Sequence, residues 1–387
     1  MRYLNKREAW MFLLILPAVL PAGLIYYLNI SHIVMYLKIV VMVLLLLEYC
    51  QRRIPIDNYL MLVSVYLLIL LFSTYLYGGD LSKYFTVFLN VFYPVLWCRL
   101  SFEENRVDGI MHKLSKFLFL TALIDDVVWL LFPNGIVVTQ TGELTTGMGL
   151  ISNDNSLTPY LIAGCMLTLF SNVRNKEDSL MKDIATLVVF TFAMYYVFTG
   201  VGIIVSLICS VLLLTFKYSS TLKNILNFKR IIFIVVVLFV VFCIFRATNW
   251  ISTFSIALGS SVTFSGRTKL WEYAKTLIAT HPILGYGVQK DVYMRGYSYR
   301  TTPHNMYFQM LIWSGIIGTF PLIGILILAI RKVSFYWKER KDIRVLSLGV
   351  IGVLIYFLFE VHTSVQLLWM VLSYILYYDL FENAEID

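Results

Sequence analysis

The chain has 387 residues, 59% of them hydrophobic and 14% charged, with a formal net charge of +8. Soluble domains carry about 25% charged residues, so a water-soluble chain this apolar would have too few polar side chains to cover its surface. The mean hydropathy of +0.77 fits a bilayer, which solvates apolar side chains directly. A basic balance suits nucleic acid or anionic lipid in general, but here the position of the charges points to membrane orientation. The cysteines (Cys50, Cys98, Cys165, Cys209, Cys243) are scattered through apolar runs and form no CxxC or Cys/His cluster. That spacing argues against a zinc site or a disulfide framework.

At the N-terminus Arg2, Lys6 and Arg7 precede an apolar run from Trp10, as in a signal peptide. No small-residue cleavage site followed by a soluble domain appears, so the run reads as a first span. About 20 apolar residues cross the hydrocarbon core. On that basis the expected spans are 10–29, 33–49, 59–77, 84–100, 114–132, 157–172, 182–198, 200–216, 230–248, 304–330, 343–360 and 363–381. The second contains Lys38, and Thr199-Gly200-Val201-Gly202 separates the seventh from the eighth. The fold expected is all-α and polytopic, with about twelve transmembrane helices in a single membrane domain over 1–387.

With a cytoplasmic N-terminus, 22 of the 31 Lys and Arg fall on inner segments, and every inner loop is basic. This is the positive-inside pattern, and an even span count puts both termini in the cytoplasm. Re-entrant segments in place of some spans would break the alternation. The inner loops are short and hold no phosphate-binding Gly-rich motif, which argues against nucleotide-driven chemistry on that side.

Two outer loops are long, 133–156 and 249–303. The second carries Arg267, Lys269, Lys275, Lys290, Arg295 and Arg300, cations on the wrong side for the rule. Long loops translocate regardless of charge; the functional alternative is an anionic ligand. Within this loop Leu270, Ala274, Leu277 and Ile278 recur at helical spacing. Thr268 suits a cap and Pro282 a stop, which predicts a short amphipathic helix at the membrane surface, followed by a tight turn at Gly285-Tyr286-Gly287. Arg267 then falls at the helix start, where a cation opposes the dipole unless an anion binds.

Pro303-His304-Asn305 stands where the loop returns to the membrane. His304 there is a candidate base, acid or donor, and Asn305 a candidate to orient it or bind a sugar hydroxyl. Asp125 and Asp126 lie in the outer half of the fifth span, where ionisable groups are functional candidates. Glu360 and His362 flank the last outer turn, Arg246 ends the ninth span, and Asn153, Asp154 and Asn155 precede the sixth. Each also suits a cap or an interfacial anchor. The loop's aromatics, Trp271 and Tyr286 among them, fit either sugar stacking or the aromatic belt.

Three segments carry a resemblance: GLISNDNSLTPYLIAG from Gly149, SGRTKLWEYAKTLIATHPILGYG from Ser265, and PHNMYFQMLIWSGIIGTF from Pro303. In this order they resemble the O-antigen polymerase and ligase superfamily, the Wzy/WaaL-type membrane glycosyltransferases. The detailed likeness covers about 149–320. The resemblance implies a GT-C-like membrane fold in the bacterial inner membrane with 249–303 as catalytic loop. It implies metal-independent transfer on the extracytoplasmic face, without cofactor, from a glycan on polyprenyl diphosphate.

By that likeness His304, Arg267 and Arg300 would be catalytic. Arg295, Arg246, Asn305, Asn153, Asn155, Trp271, Tyr286, Glu360 and Asp126 would bind substrate. His304 would activate the acceptor or bind the diphosphate, two roles the sequence leaves open. The partners implied are the lipid-linked oligosaccharide as donor and acceptor, the lipid bilayer, and a chain-length regulator and flippase as candidates; nucleic acid is not expected. Many relatives carry a Ser-Arg pair after the seventh span, and here FTGVGIIVSL puts Val201-Gly202 in its place.

The reading favoured is a polymerase of repeat units for capsule, O-antigen or exopolysaccharide. The alternatives are a ligase to a lipid or protein acceptor, a flippase or other transporter, and a scaffold. A transporter would show internal repeats and midplane charges, and a scaffold leaves the cationic loop unexplained.

Overall fold

The computed structural model describes residues 6–103, 107–141, 144–152, 156–197, 199–219, 221–244, 263–289, 302–362 and 365–383. The chain is a helical membrane protein. Its helices are α1 Lys6–Val19, α2 Ala22–Tyr27, α3 Ser31–Gln51, α4 Asn58–Leu76, α5 Leu81–Phe102, α6 Val107–Leu131, α7 Leu157–Arg174, α8 Leu180–Tyr196, α9 Gly200–Tyr218 and α10 Leu222–Ile225. They continue with α11 Phe228–Leu238, which runs into a π-helical turn at Phe239–Ile244, then α12 Thr263–Thr280, α13 Met306–Tyr336, α14 Lys341–Tyr356, α15 Gln366–Leu376 and α16 Tyr378–Asn383. Local chemistry sets several starts: Asp57, Asp80, Ser179, Asn227 and Asn305 each cap a helix by accepting from the backbone N–H three residues on.

Among the described residues, α3, α4, α5, α9 and α13 are each long and apolar enough to cross a membrane. Their outward faces are apolar, with Tyr36 on α3 67% exposed and Leu68 on α4 62% exposed. Such faces suit lipid, since a bilayer imposes no cost on them. A helix overlaps every one of the twelve expected segments, but several differ in form. The first is two helices, α1 and α2, parted at Leu20-Pro21, because Pro21 has no N–H to continue the ladder. The eleventh ends at Tyr356 and the twelfth begins only at Gln366, so the connection between them is longer than the hydropathy profile predicts.

The loop 133–156 corrects the all-α expectation. Val137–Thr141 and Leu144–Met148 form an antiparallel hairpin, β1 and β2, with Val137 opposite Met148 and Thr141 opposite Leu144. Just after it, the carbonyls of Leu150 and Ile151 accept from Leu24 and Gly23 N–H at the start of α2, and Asp125 accepts from Ile151 N–H at 2.9 Å. Two of the donors in the first turn of α2, Gly23 and Leu24 N–H, are therefore satisfied by this loop.

The end of the bundle away from this loop is tied by buried charge pairs. Lys217 Nζ lies 2.6 Å from Asp183, both almost fully buried. Arg174 bridges Asp108 and Asp342. The opposite end, where α4 meets α5 and α14 meets α15, carries the candidate site.

Candidate functional site

The site begins with Asn305. Its Oδ1 accepts from Phe308 N–H at 3.0 Å and starts α13, while its Nδ2 donates to the Leu358 carbonyl at 2.9 Å. Met306 N–H donates to the Phe357 carbonyl at 2.9 Å. Two segments far apart in the chain are thus pinned in register, and Glu360 is carried to His304. The amide of Asn305 is spent on this joint.

His304 itself has φ of 45°, the left-handed region that non-glycine residues seldom occupy. Such conformations persist where the surroundings over-determine them. On one side Trp271 Nε1 donates to the Pro303 carbonyl at 3.0 Å, and on the other Asn305 is clamped. His304 Nδ1 lies 3.0 Å from Glu360 Oε2, and Arg267 Nη2 donates to Glu360 Oε1 at 2.6 Å. Arg267 is 7% exposed and Glu360 6%, whereas the His304 side chain is 38% exposed. The carboxylate is therefore held between two cationic or potentially cationic groups, one oxygen to each, with the imidazole facing outward.

This geometry corrects the expected helix start. α12 begins at Thr263 rather than near Thr268, so Arg267 stands a full turn inside it. The anion that answers its charge is Glu360. With Nδ1–H donating to Glu360, the tautomer leaves the Nε2 lone pair for an incoming proton. Nε2 has no partner among the described residues.

A second structure holds this site against the bundle. α13 is broken at Gly315, with φ of 59° and ψ of −164°. The Pro282–Val288 segment fills the break. Tyr286 and Gly287 N–H donate to the Ile312 and Trp313 carbonyls, and Ile316 and Ile317 N–H donate to the Pro282 and Ile283 carbonyls. Within a membrane a broken helix must have its freed groups satisfied by protein, and here each side of the break satisfies the other. A Cβ on Gly315 would lie 2.3 Å from the Ile283 carbonyl oxygen, so only glycine fits. Ser73 Oγ donates to the Leu284 carbonyl at 2.6 Å and Val288 N–H to Thr74 Oγ1 at 3.0 Å, which ties the segment to α4. Sequence reasoning did not single out Ser73 and Thr74, because a hydroxyl inside an apolar span usually bonds its own helix.

The remaining expected residues divide plainly. Trp271 is 3% exposed and packs edge-on against Phe308, so its ring is a brace in the core. Tyr286 is half-buried in a cluster with Tyr77 and His281, the His281 and Tyr286 rings 4.3 Å apart. Asp126 is buried on α6, and among the described residues its Oδ1 has no hydrogen-bond partner. Arg246, Arg295, Arg300, Asn153 and Asn155 lie outside the described residues. Gly202, at the place of the Ser-Arg pair, packs on Thr158 and Thr199, where a Cβ would lie 2.5 and 2.3 Å from their hydroxyls. Burial holds the imidazole of His362, in the turn after α14, below its ordinary range, and the Glu360 charge opposes that shift.

A family model described as O-antigen ligase matches residues 185–323, a range that contains α12, the segment filling the break, His304 and the first half of α13. No curated protein matches the chain.

Proposed function

We propose that the chain is a member of the O-antigen polymerase and ligase superfamily, whose ligase model matches residues 185–323, and that it is a polymerase of lipid-linked oligosaccharide repeat units. The reading includes a GT-C-like, twelve-span fold in a bacterial inner membrane, both termini cytoplasmic and the site on the extracytoplasmic face. The donor is a growing glycan on polyprenyl diphosphate. The acceptor is a non-reducing-end hydroxyl of the incoming unit.

The observation that carries the reading is the carboxylate of Glu360 shared by Arg267 and His304. A carboxylate that fixes one imidazole nitrogen and leaves the other open is the arrangement of a general base. In the proposed step the acceptor oxygen bonds to the anomeric carbon as the bond from that carbon to the diphosphate oxygen breaks, with inversion. The hydroxyl proton passes to His304 Nε2, and the electron pair leaves with the lipid diphosphate. Arg267, Arg300, Arg295 and Arg246 hold the leaving anion, since guanidinium forks suit paired phosphate oxygens. Tyr286 and its neighbours offer ring faces to sugars.

Transfer to a lipid or protein acceptor is the second reading, favoured by the description of the matching family as a ligase. One experiment separates them. Purified protein is incubated with synthetic polyprenyl-diphosphate repeat unit and EDTA. A ladder of sugar-to-sugar products supports the polymerase. A single transfer onto an added acceptor supports the ligase, and product only with divalent metal removes the metal-independent step.

A further inference from the structure

We propose that Arg331, Phe335 and Lys338, at the end of α13 away from His304, form a docking site for the headgroup of an anionic phospholipid. α13 is long and apolar enough to cross a membrane. Beyond its break it presents one stripe outward: Ile316, Phe320, Ile323 and Ile327 are all exposed and recur every three or four residues. The same spacing continues through Arg331, Ser334, Phe335 and Lys338, again all exposed, with Phe335 at 79%. The helix runs to Tyr336, and Lys338 stands in the turn that closes it. At about 1.5 Å per residue the apolar stretch 316–327 covers about 16 Å, close to one leaflet of a hydrocarbon core about 30 Å thick. Arg331 follows one turn later, about 6 Å further on, at the level where headgroups replace acyl chains.

The neighbouring cations at this end are already engaged. Lys332 pairs with Asp379, which also accepts from Tyr336 Oη at 2.7 Å. Lys341 Nζ lies 2.8 Å from Asp178, and Arg344 donates to the Phe216 and Trp337 carbonyls. Arg331 and Lys338 differ: among the described residues, neither side chain has a carboxylate or another acceptor. Glu339 is exposed beside Lys338, but 331–344 holds six cations and two acids, so the local field favours an anion. Arg331 and Lys338 stand about 10 Å apart along the axis, with Ser334 and Phe335 between them. A phosphate there meets a guanidinium fork from one side and an ammonium from the other, both on long stems. Phe335 enters the boundary between headgroups and acyl chains, as apolar residues flanked by cations do on interfacial helices. An acyl chain of the same lipid then lies along 316–327. A soluble anion would answer the two cations but leave Phe335 and the apolar stripe uncovered. A zwitterionic headgroup would set its own ammonium against Arg331 and Lys338, so the lipid is one of net negative charge.

This inference does not depend on the transfer reaction, and its test reads lipid binding alone. Full-length protein is delipidated in detergent and titrated with phosphatidylglycerol or phosphatidylethanolamine, and the mass of the retained complex gives the affinity for each. The unmodified protein is expected to hold phosphatidylglycerol more tightly. Arg331→Gln combined with Lys338→Gln is expected to lose that affinity about tenfold, the effect of two cations near a lipid surface, and to bind the two lipids alike. Lys116→Gln combined with Lys229→Gln removes two other exposed cations, on α6 and α11, and is expected to leave the preference intact. Equal affinity of the unmodified protein for both lipids overturns the proposal. An equal loss in the two double variants overturns it as well, since the preference would then belong to diffuse charge. Should the Arg331 and Lys338 double variant fail to fold, the single replacements Arg331→Gln and Lys338→Gln are read against Lys116→Gln in its place.

Discussion

Glu360 Oε2 lies 3.0 Å from His304 Nδ1, although 56 residues separate them in the chain. Nothing local brings them together. The joint is made by Asn305 reaching the Leu358 carbonyl and by Met306 N–H on the Phe357 carbonyl. The carboxylate then fixes the imidazole, and the imidazole presents its far nitrogen.

Replacing Glu360 by Gln keeps the shape and removes the charge that fixes the tautomer of His304. Glycosyl transfer is expected to fall about 100-fold, the scale on which positioned acid–base groups act. The rate of ladder formation from a synthetic lipid-linked unit measures it. An unchanged rate would take the His304–Glu360 pair out of the chemistry.

Arg267 and Glu360 are both buried, so removing either takes from the other a charge partner that offsets its desolvation. Arg267→Ala or Glu360→Ala is expected to cost about 3 kcal/mol in unfolding free energy. The double replacement should cost clearly less than the sum of the singles, with a coupling of about 1 kcal/mol or more. Additive costs in that cycle would show that the two side chains do not stabilise one another.

Hydropathy located the helices well because the bilayer demands about 20 apolar residues at a time. It did not locate the breaks. Gly315 sits in an apolar stretch indistinguishable from an ordinary span, and only the Pro282–Val288 segment shows why the helix opens there. The hairpin was hidden differently: 137–148 is rich in Thr and Val, a strand signal inside a segment whose polarity suggested only a loop. At the site, His304, Arg267 and Glu360 were each legible as outer polar residues, but the partner of Arg267 was not. A sequence shows an unanswered cation, not the carboxylate 93 residues away that answers it.

The segment filling the break offers a graded test. Ser73→Ala removes one hydroxyl from the Leu284 carbonyl and is expected to cost about 1 kcal/mol, as interhelical hydrogen bonds in membranes do. Gly315→Ala adds a Cβ at positive φ and against the Ile283 carbonyl, and is expected to cost more and to lower the folded yield. Equal thermal stability of Gly315→Ala and the unmodified protein would mean that the break is not needed.

His362 gives a pH dependence with a definite sign. Burial lowers its folded-state pKa from the ordinary 6.5. Above 6.5 the imidazole is neutral folded or unfolded and stability is at its full value. As pH falls below 6.5 the unfolded chain takes up a proton that the folded one resists, so stability declines until the folded-state pKa is passed. His362→Gln is expected to flatten this acid-side decline in thermal unfolding measured across that window. A decline of the same slope in the variant would assign it to other groups.

Asn305 allows the helix cap and the clamp between the two segments to be told apart. Asn305→Asp keeps an oxygen for Phe308 N–H, so α13 should still start where it does. It loses the N–H given to the Leu358 carbonyl and sets two acceptors against each other. The register between His304 and Glu360 should loosen, and because general-base geometry is sensitive to small displacements, transfer is expected to fall about tenfold or more. Asn305→Ala loses both contacts, with about 1 kcal/mol of additional instability from the missing cap. Helical content, thermal unfolding and transfer rate measured on the same samples decide the point. If Asn305→Asp transfers as fast as the unmodified protein, the Asn305 clamp does not position the base, and the Met306–Phe357 backbone joint with Arg267 holds Glu360 to His304.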